Sequence, residues 1–190
     1  MEFRGLSLIF FETLIAFCLI TQTLDAKPKN HFEVSEITST VRQSLNLSGF
    51  YRKYVVVGGF SIVGSPKVSD FALKEAAYLI DKMTIKHPEY LQKLAENKVR
   101  FSIMARNEFT TDIPEHSDMT PAIFWDKRAR GLGATRTRPS VSCGEENLLA
   151  IEGDPYKMEN ILIHEFAHAL HAMAINELDP TFQSRLEKYF

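Results

Sequence analysis

The stretch ENILIHEFAHALH, residues 159–171, contains His164, Glu165 and His168 in the order H-E-x-x-H. Residues four apart lie on one face of a helix, so His164 and His168 can direct their ring nitrogens at one ion. Glu165 lies next to this pair and can take a proton from a water molecule held there. The flanks ILI, residues 161–163, and ALHAMAI, residues 169–175, carry no charge, which favours a zinc site of the peptide-hydrolysing kind over two core histidines with protein partners.

The predicted helix around this motif is apolar on nearly every side. Asp154 is a suitable N-cap and Pro155 a suitable first residue, so we expect the helix to run from about residue 156 to 175. A helix that is apolar all round is buried. We therefore expect a central, buried helix whose histidines and Glu165 are polar groups inside the core and need partners there.

The motif supplies two ligands, whereas a catalytic zinc site takes three from the protein and keeps one position open. His171 lies about 10.5 Å beyond His164 along a straight helix, too far for one ion to bind both together with His168. We therefore interpret His171 as a core histidine or as a partner of a ligand.

Carboxylates beyond the motif are the remaining candidates for a third ligand. Asp179 and Pro180 predict the start of a further helix, in which Glu187 is the only carboxylate. Glu187 falls at the margin of the face that should pack on the motif helix, and Glu177 falls in the turn. We expect Glu187 to be mostly exposed and not a ligand, which leaves the third ligand outside this chain.

The first 26 residues resemble a secretory leader. The apolar run LSLIFFETLIAFCLI is short for a membrane span and contains Glu12, so we interpret residues 1–26 as a signal peptide rather than an uncleaved anchor. Cleavage near Ala26 predicts a secreted, extracellular protein without membrane association. The triplet that begins at Asn46 is a glycosylation acceptor in a eukaryotic secretory route.

Composition narrows the class of protein. The chain has 190 residues, of which 45% are hydrophobic and 24% charged, which suits one globular domain plus a processed leader. The net charge of -2 gives no basis for a nucleic-acid-binding surface. Cys18 lies in the leader, so the mature chain keeps only Cys143, either as a buried thiol or paired with a partner molecule.

The rest of the chain predicts an α+β fold. Two β-rich runs flank Gly58-Gly59, a helix begins at Ser69 or Asp70, another begins at Pro88, and residues 99–105 alternate like a strand. NLLAI, residues 147–151, is a further strand candidate. We expect a small sheet from the regions of Val55, Val99 and Leu148, packed on helices.

Residues 106–147 predict a long irregular segment that carries Trp125 and many charges. A loop of that length inside a domain is usually functional or disordered. Taken singly, each charged residue of this segment is typical of a solvated loop side chain. As a group they could form the wall of a substrate cleft. These residues are Asp112, Glu115, His116, Arg128, Arg130, Arg136 and Arg138. An extended substrate would add to a sheet edge, for which residues 147–151 and 99–105 are the candidates.

Two blocks, GLGATRTRPSVSCGEENLL and GDPYKMENILIHEFAHALH, resemble a group of secreted proteins with a zinc-peptidase domain. The resemblance covers about residues 51–190 and implies a zincin domain of the gluzincin type, distantly similar to the catalytic domain of anthrax lethal factor, preceded by an extension at 27–50. It implies that His164 and His168 bind zinc and that Glu165 is the general base.

The chain departs from this group in two places. In such domains the third ligand is a Glu on a later helix, in a segment like EYWAEG, which is missing here; we therefore expect the domain to lack its C-terminal part. Relatives also often carry a second Cys near the position of Ala150, able to pair with the match to Cys143, and that Cys is missing too.

Two functions follow as hypotheses. The first is a secreted zinc metallopeptidase that acts on a peptide or protein substrate, with Glu165 as its base. The second is a catalytically inactive secreted or extracellular-matrix protein built on a zincin scaffold. The missing ligand and the lone Cys143 favour the second, whereas the intact Glu165 favours the first, since a binding protein needs no base.

Overall fold

The computed structural model describes residues 32–189. The predicted signal peptide, the first five residues of the extension and Phe190 lie outside the described residues. Within 32–189, no helix combines the length and the apolar composition that a membrane crossing requires.

A single mixed sheet organises the described residues. Its strands lie in the order β1-β2-β3-β4-β6-β5, with β3, β4 and β6 parallel and the remaining pairs antiparallel. The strands are β1 Ser35–Glu36, β2 Lys53–Val57, β3 Phe60–Gly64, β4 Arg100–Met104, β5 Gly131–Leu132 and β6 Ser140–Gly144. Together with the helices this is a mixed α+β fold, as predicted.

Eight helices lie among and after these strands in the described residues. They are α1 Ser39–Ser44, α2 Asp70–Thr84, α3 Pro88–Glu96, α4 Ala122–Arg128, α5 Glu145–Leu148, α6 Ile161–Leu170, α7 Asn176–Leu178 and α8 Phe182–Leu186. Two 3₁₀ turns, Thr110–Asp112 and Pro114–His116, precede α4, and a π turn, His171–Ile175, joins α6 to α7. The predicted helix starts at Ser69 and Pro88 are confirmed, with the Ser69 hydroxyl accepting from the Phe71 amide.

The hairpin between β2 and β3 is confirmed, and its two glycines explain why it forms. Gly58 and Gly59 have φ values of 53° and 87°, a left-handed pair that a two-residue hairpin turn requires and that glycine adopts without steric cost. A Cβ at Gly58 would also lie only 3.0 Å from Leu91 Cδ1. The turn therefore fits against α3 only without a side chain.

The motif helix α6 is held against the sheet by aromatic packing. Phe166 is fully buried, and its ring centroid lies 5.5 Å from that of Phe60 and 6.2 Å from that of Phe101. These two rings come from the neighbouring strands β3 and β4. The helix is thus fixed across the middle of the sheet, with its N-terminal half near β6 and β5.

The prediction of an irregular segment over residues 106–147 was wrong in its last part, because β6 is a buried interior strand. Its sequence, SVSCG, alternates serines with Val141 and Cys143, and with one branched apolar residue among five it gives only a short and weak strand signal. The Ser140 hydroxyl pairs with that of Ser102 at 2.7 Å, whereas the Ser142 hydroxyl on the same face is buried without a hydrogen-bond partner among the described residues.

Two charges of that segment are not solvated, contrary to expectation. Glu115 forms a buried ion pair with Arg100 and also accepts from the Tyr51 hydroxyl. His116 is 1% exposed, and burial lowers its pKa. The 3₁₀ turn that carries both residues therefore packs against the sheet as part of its polar face.

The strand predicted at residues 147–151 was wrong as well. Its first half belongs to α5, whose turn ends where the Leu149 amide donates to the Glu145 carbonyl. Ala150 then adopts φ 49°, a left-handed conformation that stops both helix and strand. The apolar run is short, and periodicity alone does not distinguish a strand from a helical turn at that length.

Candidate metal centre

The motif helix begins at Ile161, not near Tyr156 as predicted. Asn160 is its N-cap, and the Asn160 side chain accepts from the Ile163 amide. Asp154, the predicted cap, instead accepts from the Tyr156 amide two residues on, at 2.9 Å, and closes a turn. A side-chain bond of this local kind competes with helix formation, so the helix starts later.

Asn147 connects this turn to the helix. Its amide nitrogen lies 2.9 Å from Asp154 Oδ2 and 2.9 Å from the Glu159 carbonyl oxygen, and its side-chain oxygen accepts from the Ile161 amide at 2.8 Å. The Asn147 side chain thus stabilises the loop and also accepts a hydrogen bond from the first free N–H of the helix. The position of Glu159 relative to the helix is set by these bonds.

The prediction that α6 is buried on all sides was wrong. Its buried residues face the sheet, and they are Ile161, Leu162, Phe166, Ala169 and Leu170. Four others are exposed and share the opposite face, namely Ile163, His164, Ala167 and His168. Helix α6 packs against the sheet and against α2, α3 and α5, and its histidine face is left open to solvent.

The two motif histidines converge on one point in front of this face. Their Nε2 atoms are 3.1 Å apart, and the rings meet at 65° with centroids 4.9 Å apart. Two nitrogens that each lie about 2.0–2.1 Å from one tetrahedral ion would be about 3.3 Å apart. The observed separation is close to that value, so the pair fits two positions of a zinc site.

A carboxylate holds the first histidine in this orientation. Glu159 Oε1 lies 2.5 Å from His164 Nδ1. Metal-binding histidines usually donate their second ring N–H to such a group, which fixes the tautomer and leaves the other nitrogen for the metal. Glu159 precedes the helix and was not predicted from the sequence; only its position five residues before His164 could have suggested it.

Glu159→Ala should weaken zinc binding without removing it. Without the carboxylate the His164 ring is free to rotate and its basicity falls, and loss of such a partner typically costs about 10–100-fold in metal affinity. Competition with a chromophoric chelator measures the dissociation constant. Glu152→Ala is the matched control, because Glu152 is an exposed carboxylate of the same loop; equal effects of the two variants would contradict the assignment.

Glu165 is half-buried beside the histidine pair. Burial raises the pKa of its carboxyl group, while the charges of His164 and His168 and a hydrogen bond from the Gly133 backbone lower it. A raised pKa makes the carboxylate a stronger proton acceptor near neutral pH.

The edge strand nearest to Glu165 is β5, and both predicted edges were wrong. Residues 100–104 form β4, which lies between β3 and β6 and has no free edge. At Gly131 of β5, a Cβ would lie 2.3 Å from Ile161 Cγ2 and 2.8 Å from the Ser142 carbonyl oxygen. Glycine alone lets β5 approach the motif helix this closely, so the glycines at 131 and 133 were the missed signal.

A cleft of about 250 Å³ opens between the segment 125–132 and the motif helix. His164 and Glu165 are in its lining, as are Trp125 and Tyr156. The Tyr156 hydroxyl donates to the Arg128 carbonyl at 2.6 Å and closes one wall. A larger hollow of about 560 Å³, formed by residues of the segment 147–160, contains neither motif histidine.

Only some of the charged residues that were predicted to form the wall of a substrate cleft line the cleft. Arg128 and Arg130 line it, but Arg130 is paired with Glu146. The others are engaged elsewhere: Arg136 pairs with Glu177, Arg138 pairs with Asp118, and Asp112 accepts from the Phe109 amide.

Within residues 32–189, no three His, Cys, Asp or Glu side chains come together as a metal-binding group. Glu187 is exposed, as predicted, and accepts from Gln183 Nε2 at 2.8 Å. His171 Nε2 lies 2.8 Å from Gln183 Oε1, which places this ring against α8. Glu177 accepts from Asn97, and Asp179 from Thr181.

Cys143 is fully buried in β6, and burial raises the pKa of its thiol well above the usual value. Of the two alternatives for this residue, the structure shows the buried thiol. A thiol of high pKa is a poor nucleophile, so Cys143 contributes packing beside the cleft rather than chemistry.

Comparison of the chain with family models, curated proteins and solved structures found no match. The zincin resemblance therefore stays a prediction. What can be said of function comes from the side chains of the motif helix and its surroundings.

Proposed function

We propose that this protein is a secreted, zinc-dependent peptidase. The observation that carries the proposal is the convergence of His164 Nε2 and His168 Nε2, 3.1 Å apart, with Glu165 between them in sequence and beside them in space. Glu159 supports it by occupying the other nitrogen of His164. This contact leaves the Nε2 atom of His164 free for a metal ion.

In this proposal the side chains of the site have separate roles. His164 and His168 would hold zinc, which would supply an activated water molecule and polarise the scissile carbonyl group. Glu165 would accept a proton from water and deliver it to the leaving amine.

The substrate lies in extended form along β5. The outer edge of this strand has no partner strand in the described part of the chain, so its backbone can pair with a peptide without regard to sequence. The close contact of Gly131 with α6 brings that peptide near Glu165. The cleft beside Trp125 then receives a substrate side chain.

Hydrolysis assays on the purified full-length chain test this function. We expect zinc-loaded protein to cleave a mixture of unstructured peptides, chelation to stop the cleavage, and added zinc to restore it. Mass spectrometry of the products shows whether peptide bonds were broken. Cleavage that persists after chelation, or no cleavage at any zinc concentration, would contradict the proposal.

One observation favours the alternative, an inactive secreted or extracellular-matrix protein on the same scaffold. The described residues supply two zinc ligands where catalytic sites take three. In that case the histidine face of α6 would bind zinc or a partner molecule, and the protein would not hydrolyse peptides. The zinc-loaded protein would then bind peptides and leave them intact in the same assay.

A further inference from the structure

Helix α4 carries an exposed apolar pair immediately outside the cleft. Ile123 is 63% exposed and Phe124 47% exposed. Apolar residues exposed singly are ordinary, but neighbouring ones on one short helix mark an interaction site. Phe109, which begins the 3₁₀ turn packed against α4, adds a third side chain with 54% exposure.

This pair continues the wall of the cleft. The ring of Phe124 meets that of Trp125 edge-on, with centroids 5.4 Å apart, and the Arg128 guanidinium lies over its other side, 5.7 Å from the centroid. Trp125 and Arg128 both line the cleft that contains His164 and Glu165. Phe124 therefore contacts residues that line the cleft of the proposed reaction centre.

The charge of the same surface is positive. Lys127 and Arg128 are exposed, and no carboxylate among residues 32–189 forms an ion pair with either. The only acid of α4, Asp126, is engaged with the Thr111 amide and hydroxyl. Apolar side chains next to unpaired cations complement a ligand that is apolar and acidic.

We propose that Ile123, Phe124, Lys127 and Arg128, the α4 surface, dock an acidic and apolar segment of the polypeptide substrate that extends out of the cleft. The inference rests on the proposed function, since it takes the occupant of the cleft to be a polypeptide. The α4 surface is continuous with the cleft, and this identifies its occupant. A substrate polypeptide that is held along β5 and leaves the cleft past Trp125 contacts Phe124 first. Apolar contact supplies the affinity, and the two cations select acidic residues.

Binding measured without turnover tests the proposal. The full-length chain carrying Glu165→Gln is titrated against a labelled peptide with Phe, Leu and Asp between Gly and Ser spacers, and against the same peptide with Lys at each Asp position. We expect the Asp peptide to bind more tightly. Adding Ile123→Ser and Phe124→Ser should weaken it about tenfold or more, and Lys127→Glu with Arg128→Glu should abolish the preference.

Phe71→Ser is the matched control, because Phe71 is a 76% exposed phenyl on α2; it should leave binding unchanged. Equal binding by all variants, no binding at all, or no preference for Asp over Lys would overturn the docking surface. The docking surface would also be overturned if the protein formed a dimer or bound anionic vesicles and the Ile123 and Phe124 variant did not. Either result would assign the surface to another occupant.

The two proposals fail separately in this design. Peptide binding that depends on α4, together with intact peptides in the hydrolysis assay, would support the docking surface and contradict the peptidase. Zinc-dependent hydrolysis whose kcat/KM is the same for both peptides and for the α4 variants would support the peptidase and overturn the docking surface.

Discussion

Glu165→Gln should leave zinc bound and reduce peptide hydrolysis by about 10²–10⁴-fold, the usual contribution of a general base. Glutamine keeps the shape of the side chain and an oxygen that can accept from the Gly133 backbone, but it cannot take a proton from water. Elemental analysis gives the zinc content, and initial rates on a peptide mixture give the activity. The two measurements separate loss of the base from loss of the metal.

A conservative change at a distant carboxylate controls for this result. Glu187→Gln alters an exposed side chain of α8 that is bonded to Gln183, and its rate should equal that of the wild type. Unchanged hydrolysis in Glu165→Gln would exclude the proposed base. Loss of zinc together with loss of rate would show that Glu165 supports the metal or the helix instead.

Replacing both motif histidines, His164→Ala with His168→Ala, should lower the zinc content from about one ion per chain to none, because two ligands of a catalytic site are removed together. Hydrolysis should disappear with the metal. The metal-free fold should be little affected, since both side chains lie on the exposed face of α6 and contribute little to the core. Elemental analysis and thermal unfolding of chelated protein measure the two effects.

His171→Ala supplies a matched control on the same helical segment. Its ring faces Gln183 and Phe182 rather than the motif pair, so this variant should retain zinc. Equal zinc content in wild type and the double variant would contradict the metal centre, and loss of zinc in His171→Ala would show that the centre extends further along the helix.

Where local chemistry decides the conformation, prediction from the sequence succeeded. The glycine pair at 58–59, the Ser69 cap and Pro88 each act through bonds or dihedral angles within a few residues. The exposure of Glu187 followed in the same way from helix geometry. The spacing of His164 and His168 predicted that both rings could face one point, and the structure places their Nε2 atoms together.

Prediction failed where a partner distant in sequence decides the outcome. Strand β6 alternates over only four residues, and its Ser140 is buried because Ser102, Tyr51 and Glu115 form a polar network opposite it. Asp154 is a good cap in isolation but bonds within its own turn, which Asn147 holds in place. Glu159 becomes the partner of His164 only because that loop folds back on the helix.

The sequence by itself determined which side chains of the motif share one face of the helix, because residue types and a spacing of four are local properties. The tertiary structure alone decided which face of α6 stays open, since that depends on which layers pack against it. It also decided that β5 is the edge strand beside Glu165. Strand order is a matter of long-range pairing, and only the glycine at 131, which leaves room for Ile161, hinted at that close approach.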